Sequence, residues 1–169
     1  MPKPKIKSLV SLLIISSLYS VAVGQETSSP QDSHFAGVKA RGDEGMGFSH
    51  EKTTHHFHLL PDGGAIEIRS NELADVATQD AIRNHLAMIA AKFSKGDFAI
   101  PMFIHATTPP GVETMQRLKS KIAYEAENTE RGAQLRIISH DSEAVVAIHD
   151  FLRFQIRDHQ TGDSLEVQK

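Results

Sequence analysis

The sequence predicts an α+β fold in which a duplicated β-β-α unit forms a four-stranded antiparallel sheet with helices on one face. Paired segments of alternating apolar residues predict two hairpins, and an apolar stripe of helical period follows each pair. In addition, residues 52–97 and residues 120–163 show collinear similarity, which indicates an internal repeat. An extra short helix is expected between the two units.

The hairpins are predicted from side-chain alternation. In the first unit Ile66 and Ile68 alternate with charged residues after a Pro-Asp-Gly-Gly turn. In the second unit Leu135 and Ile137 alternate in the same way after a Thr-Glu-Arg-Gly turn. The polar faces of all four strands would then form the sheet surface opposite the helices, carrying His56, His58, Glu67, Arg69, Glu125 and Arg136.

The helices are predicted from apolar residues three or four positions apart. Aligning the two units by sequence similarity shifts the helix residues by 66 positions, so that His85 matches Phe151. The strand residues are shifted by 68 positions, so that Gly64 matches Gly132. Residues 98–111 form a Pro-punctuated, extended connection before the short helix. The two helical stripes consist of Ile82, Leu86, Ile89 and Phe93, and of Val145, Ile148, Leu152 and Gln155.

The N-terminus has the pattern of a signal peptide over residues 1–24. Three lysines precede an apolar run, and Ala22-Val23-Gly24 places small residues where signal peptidase cleaves. The alternative is an uncleaved membrane anchor, but the apolar run is too short and too rich in serine for a membrane span, which needs ~20 residues.

Residues 25–45 are polar and show no periodic pattern of apolar residues, which predicts a disordered leader. Residues 46–169 form a single domain, and export predicts a periplasmic or secreted protein.

Composition excludes several classes of function. The chain has no cysteine, so it has no disulfide, no lipid-modified cysteine and no thiolate metal site. Its 18 basic and 21 acidic residues give a net charge of −3, and loss of Lys3, Lys5 and Lys7 would leave −6. An acidic surface argues against a nucleic-acid or anionic-membrane partner. The notable excess is in histidine, with ten residues.

Three of the ten histidines lie in the short stretch Thr53–His58. Strand alternation places His56 and His58 on one face of the sheet, where two imidazoles can bind one metal ion. His55 points to the opposite face, with Phe57. A His-x-His pair is weak support by itself, because exposed polar strand residues alternate in the same way without binding anything.

His85 and His105 are the other candidate metal ligands. His85 lies at the margin of the first helical stripe, where the second unit has Phe151, and the alternative for it is a hydrogen-bonded core histidine. His105 lies close to Met102, whose thioether would favour copper, although methionine is more often core filler. Met46 and His50 could fold over the site as an extra ligand and a lid. The remaining histidines, His34, His140, His149 and His159, are interpreted as leader, surface or capping residues.

A distinctive set of segments begins at Met46: Met46–Phe57, Asp62–Ile66, His85-Leu86, Gly96–Phe98, Pro101-Met102, His105, Thr108–Gly111 and Phe151–Ile156. On these segments the chain resembles an uncharacterised family of small exported bacterial proteins. Some members are labelled carbamoyltransferases, but this chain is too short for that enzyme and lacks its Ser-Thr-x-Thr-Arg loop. The resemblance implies a shared histidine site that includes Thr54, His55, His56, His85 and His105.

The leading hypothesis is therefore an exported protein that binds copper or zinc. Its expected ligands are His56, His85 and His105, with His55, His58 and Met102 as auxiliary ligands. No organic cofactor is expected. One alternative is an interaction module that forms a homodimer or docks a partner through the open sheet face or the second helix, which carries Phe151 and Phe154 at different angles. A third hypothesis is a zinc-dependent hydrolase with Glu51 as its base.

Overall fold

The computed structural model describes residues 1–2 and 29–169. The predicted signal peptide lies outside the described residues except for its first two. Within the described part of the chain, no helix is both long and apolar enough to cross a membrane.

The first element, helix α1, spans Pro30–Met46 and corrects the expectation of a disordered leader over 25–45 for its described residues; residues 25–28 lie outside the described part of the chain. The Ser29 side chain accepts a hydrogen bond from the backbone of Asp32, whose carboxylate accepts one from the backbone of Ser29. This capping box and the left-handed C-cap Gly47 satisfy the terminal backbone groups of the helix. A search for apolar periodicity misses such a helix, because its signals lie at its ends.

The remaining elements follow the predicted order with one addition. Helix α3 (Ala99–His105) lies within the stretch 98–111 that was expected to be extended, so two short helices, not one, separate the units. Short 3₁₀ turns at His50–Lys52 and Lys119–Lys121 precede the hairpins. In chain order the elements after α1 are β1 Thr53–Leu60, β2 Gly63–Ser70, α2 Val76–Phe93, α3 Ala99–His105, α4 Val112–Arg117, β3 Ile122–Thr129, β4 Gly132–Ser139 and α5 Ser142–Asp158.

The four strands form one antiparallel sheet in the order β1-β2-β4-β3, which confirms the predicted fold class. The two hairpins meet at the central pair, where Ile66 lies opposite Leu135. Helices α2 and α5 both cross the face that carries these residues, and the core lies between the helices and the sheet. The opposite face carries the predicted set of charged and histidine side chains.

Both halves of the sheet are β-hairpins followed by a helix, as the predicted repeat requires, but the predicted alignment of the strands is wrong by one residue. Strand β2 begins at Gly63 and β4 at Gly132, an offset of 69 where 68 was expected. Because side chains alternate across a sheet, an odd shift exchanges the buried and exposed faces. The offset of 69 matches Ile66 with Leu135, both buried, whereas 68 matches it with half-buried Gln134 on the opposite face.

Strand β1 is an edge strand, and the chain after α5 covers its free edge. The Asp163 carboxylate accepts a hydrogen bond from the backbone N–H of Phe57, and the backbone N–H of Gln168 donates to the carbonyl of Leu59. These contacts satisfy backbone groups that would otherwise face solvent on a sheet edge. They also hold the C-terminal end of α5 beside β1, where the histidines lie.

Candidate functional site

The structure divides the predicted ligands between the two faces of the sheet. His56 lies on the outer face, whereas His85 and His105 are buried on the helix side, so the expected trio does not converge. Alternation along β1 is the reason, because consecutive residues point to opposite faces. Met102 is 37% exposed on α3 and is absent from the residues that line the cluster described below.

The outer pair, His56 and His58, contacts the C-terminal segment. His56 Nδ1 lies 2.9 Å from Oδ1 of Asp163, and His58 Nδ1 lies 3.1 Å from the side-chain amide of Gln168. The second ring nitrogen of His58 is 3.8 Å from a carboxylate oxygen of Glu67. These contacts give the outer pair a role in holding the chain end against β1.

On the inner face, five side chains from five parts of the chain meet around a cavity of about 60 Å³. The remaining lining is mostly apolar, with Phe57, Ile66 and Ile68 on the sheet side. We call this group the inner cluster. It consists of Met46 at the end of α1, His55 on β1, His85 on α2, His105 at the end of α3 and His159 at the C-cap of α5.

His55 is the member that β1 directs into this cavity. Its Nε2 lies 3.3 Å from the Met46 sulfur, and its ring is parallel to that of His159, with centroids 5.9 Å apart and planes 3° from parallel. Burial lowers its pKa to about 4, and the nearby His85, His50 and His56 add to the effect. His55 is therefore neutral near pH 7 and has a lone pair for a ligand.

His159 is a site residue that sequence reasoning placed at a surface or cap. Its backbone is indeed the C-cap of α5, but its ring stacks on Phe57 with centroids 5.7 Å apart. Burial, aided by His55 and His105, lowers its pKa to about 3. The helix offset of 66 could have identified it, because that offset matches His159 with Phe93, a position that is buried in the other unit.

His85 is 8% exposed, and its Nδ1 has no hydrogen-bond partner among the described residues. Phe48 packs edge-on against its ring, with centroids 5.5 Å apart. Burial lowers the pKa of His85 to about 4. A buried nitrogen without a partner costs about 1–3 kcal/mol, so this position is not optimised for stability alone.

His105 differs from the others because both of its ring nitrogens are engaged. Nδ1 lies 2.5 Å from Oδ2 of Asp158, and Nε2 lies 2.9 Å from the side-chain amide of Gln155. The second carboxylate oxygen of Asp158 lies 2.7 Å from Nε2 of His34 on α1. Asp158 thus connects α1, α3 and α5, and His105 has a structural position next to the cluster.

A surface cleft of about 220 Å³ runs between α1, the start of β1 and the end of α5. Met46, His55 and His159 line both this cleft and the inner cavity. These three side chains therefore form the wall between them. A small ligand at this wall of the cleft would contact the thioether and the two imidazoles.

The residues behind the alternative hypotheses do not form a second site. Glu51, the base of the hydrolase hypothesis, is exposed and does not line the cleft. His50 does line the cleft, and its Nδ1 lies 2.8 Å from a carboxylate oxygen of Asp43. Phe151 is 1% exposed in the core, and Phe154 packs on His105 with centroids 5.0 Å apart. The second helix therefore does not present these aromatic residues as a docking surface.

Among residues 29–169, no three histidine, aspartate or glutamate side chains are placed together so that they could hold one metal ion. The inner cluster is instead a mixed set, in which a thioether accompanies imidazoles. Comparisons with protein-family models, with curated proteins and with solved structures find no match to this chain. Function is therefore inferred from the geometry of the cluster.

Proposed function

We propose that this protein is an exported metal-binding protein that holds a copper or zinc ion between Met46, His55 and His159. The observation that supports this most directly is the 3.3 Å separation of the Met46 sulfur and His55 Nε2. Ligand atoms of one ion, at bonds of about 2.0–2.3 Å, are separated by roughly 3.3–3.7 Å. The two atoms are thus at the spacing of neighbouring ligands.

His159 is at a compatible distance from His55. An imidazole bound through one nitrogen has its centroid roughly 3.2 Å from the metal, so two such rings have centroids up to roughly 6.4 Å apart. The observed 5.9 Å lies within that limit. A rotation of the side chains would aim both lone pairs at a common point, and the neighbouring cavity gives the rings room to move.

The protonation state also supports a metal site. A metal ligand must be a neutral imidazole, and protons compete with metal at histidines of ordinary pKa. With the pKa of His55 lowered to about 4 and that of His159 to about 3, no deprotonation is needed at neutral pH. The metal would bind a pair of half-buried imidazoles that have no other strong partner among the described residues.

The export half of the proposal rests on residues 1–24, whose lysines, apolar run and small residues before Gln25 are typical of a cleaved signal. A periplasmic or secreted location follows from it. N-terminal sequencing of the protein recovered from the periplasm or medium of the producing cell tests this, with Gln25 as the expected first residue. Recovery of an intact Met1 from the membrane fraction would contradict it.

Elemental mass spectrometry tests metal binding. The untagged chain from Gln25 is exposed to copper or zinc, desalted and assayed, and about one ion per chain is expected. The double variant His55→Phe/His159→Phe should lose the metal while keeping its fold, because the equivalent positions in the opposite units hold Tyr124 and Phe93. The matched control His56→Ala/His58→Ala removes the same number of imidazoles from the outer face and should retain the metal.

Two results would contradict the proposal. One is the absence of metal from the unmutated protein after loading with either ion. The other is loss of metal in the outer-face control with retention in the inner double variant, which would transfer the site to the predicted His-x-His pair.

A further inference from the structure

Resting on the proposed function, we infer that the inner cluster selects Cu(I) over Zn(II) and Cu(II), with Met46 as the residue that sets this preference. Three properties of the cluster support this preference: the type of its ligand atoms, the charge that they can neutralise and the number of ligands.

The first property is the thioether. Zinc in proteins is bound by imidazole, thiolate and carboxylate ligands, whereas a thioether is a soft ligand that selects Cu(I). The Met46 sulfur lies 3.3 Å from His55 Nε2. Met46 is the last residue of α1, and the Gly47 C-cap fixes the direction in which the chain leaves the helix. The fold thus places this sulfur beside the imidazole.

The second property is charge. Met46, His55 and His159 bring no charge as ligands, and Asp158, which hydrogen-bonds to His34 and His105, is the only acidic residue among those lining the described cleft. One carboxylate can balance one positive charge, and the free-energy cost of burying uncompensated charge grows with the square of that charge. The apolar surroundings, with Phe57 against His159 and Phe48 against His55, keep that cost high. A monovalent ion is therefore favoured over a divalent one.

The third property is coordination number. Structural zinc sites are almost always four-coordinate, and Cu(II) prefers a tetragonal set of nitrogen and oxygen ligands. Cu(I) is satisfied by two or three soft ligands. The proposed ligands Met46, His55 and His159 offer one sulfur and two nitrogens, and in the described part of the chain no three histidine, aspartate or glutamate side chains are placed to hold one ion.

The test compares metals and methionines in one titration series. Cu(I) affinity is measured without oxygen, in ascorbate, against the chelator bicinchoninate, and Zn(II) affinity is measured against a chromophoric zinc chelator. Met46→Leu keeps the volume and apolar character of the side chain, and Met102→Leu is the matched control on an exposed methionine. Cu(I) affinity should fall at least about tenfold (~1.4 kcal/mol) in Met46→Leu only, and zinc affinity should stay within about twofold.

X-ray absorption at the copper edge supplies a second measurement that does not depend on affinity. The loaded protein should show sulfur scattering from the bound copper, and Met46→Leu should show nitrogen alone. Zinc binding as tight as that of Cu(I), or sulfur scattering that persists in Met46→Leu, would overturn the inference and leave the proposed metal site standing. No binding of any of the three ions would instead refute the proposed function itself.

Discussion

The two repeats place different chemistry at equivalent positions around one core. With the strand offset of 69 and the helix offset of 66, His55 corresponds to Tyr124, His159 to Phe93 and His85 to Phe151. The spacing is alike, since the Phe93 and Tyr124 centroids are 5.8 Å apart and those of His55 and His159 are 5.9 Å apart, but the first pair meets edge-on at 74° and the second is parallel within 3°. Equivalent backbone positions thus carry a phenyl and a phenol ring in one place and two imidazoles in the other.

The aromatic residues are more closely packed than the histidines of the inner cluster. Phe93, Phe98 and Phe151, which with Tyr124 form an aromatic cluster, pack on one another with centroids 4.2–6.1 Å apart. Imidazoles at the equivalent positions are smaller and polar. They line the cavity of about 60 Å³, which also reaches Phe93 and Phe151, and Nδ1 of His85 has no partner among the described residues. Packing in the inner cluster is therefore less favourable than in the aromatic cluster, as is expected of a site whose side chains are kept for binding a ligand. Four predictions test this comparison.

The largest effect is expected where the aromatic packing is tightest. Phe151→Ala should lower the free energy of unfolding by about 3–5 kcal/mol, because it leaves a large cavity beside Phe93 and Phe98. His85→Ala, at the equivalent position, should cost far less because it also removes a buried unpartnered nitrogen. Urea unfolding of the metal-free proteins measures both. Equal losses of unfolding free energy in the two variants would show that the two clusters are equally well packed and would contradict this prediction.

The second prediction concerns pH. Burial lowers the pKa of His85 from 6.5 to about 4, so between these values the unfolded chain binds a proton that the folded chain does not. The free energy of unfolding therefore keeps its full value above about pH 6.5 and falls as the pH drops towards 4. His85→Phe, which copies the second unit, should remove roughly 3 kcal/mol of that fall. Urea titrations at pH 4.5, 5.5 and 7 compare the variant with the parent, and parallel pH curves would contradict the assignment.

The third prediction concerns helix α1, which ends at Met46 of the inner cluster. Asp158 bonds to His34 on α1 and to His105 on α3. Asp158→Ala leaves buried His105 without its carboxylate and should cost about 1–3 kcal/mol. Hydrogen exchange of residues 30–46 should also accelerate. The control His34→Ala removes only the more exposed contact and should cost less than about 1 kcal/mol. Unchanged exchange in α1 after Asp158→Ala would contradict a tethering role.

The architecture could be predicted from the sequence because it depends on local patterns. Alternation around Ile66 and Leu135 and the stripe through Ile82 and Leu86 specify strands and helices without knowledge of distant contacts. Helix α1 escapes such a prediction because its weakly amphipathic sequence is specified by caps, with Ser29 and Asp32 at one end. Detecting it requires attention to end signals, not periodicity.

The site was only partly predictable because it depends on tertiary contacts. The sequence identifies His55, His85 and His105 as candidates, and strand alternation alone places His55 on the face opposite His56. The roles of Met46 and His159 depend on how the ends of α1 and α5 approach β1, and no local pattern encodes that approach. The expected strand offset is wrong by one residue because Gly64 and Gly132 look alike in sequence, while only the sheet register shows which face each strand buries.

The smallest effect is expected at the counterpart of His55. The Tyr124 hydroxyl is buried and has no hydrogen-bond partner among the described residues, and burial raises its pKa. If the aromatic cluster is purely a packing core, that oxygen contributes nothing, and Tyr124→Phe should stabilise the protein by about 1 kcal/mol or leave it unchanged. The measurement is a urea unfolding curve of the metal-free variant beside the parent. A loss of more than about 1 kcal/mol would mean that the hydroxyl binds an ordered water or another polar group. The aromatic cluster would then contain a polar interaction of its own, and the two clusters would differ only in the number of polar groups that they hold.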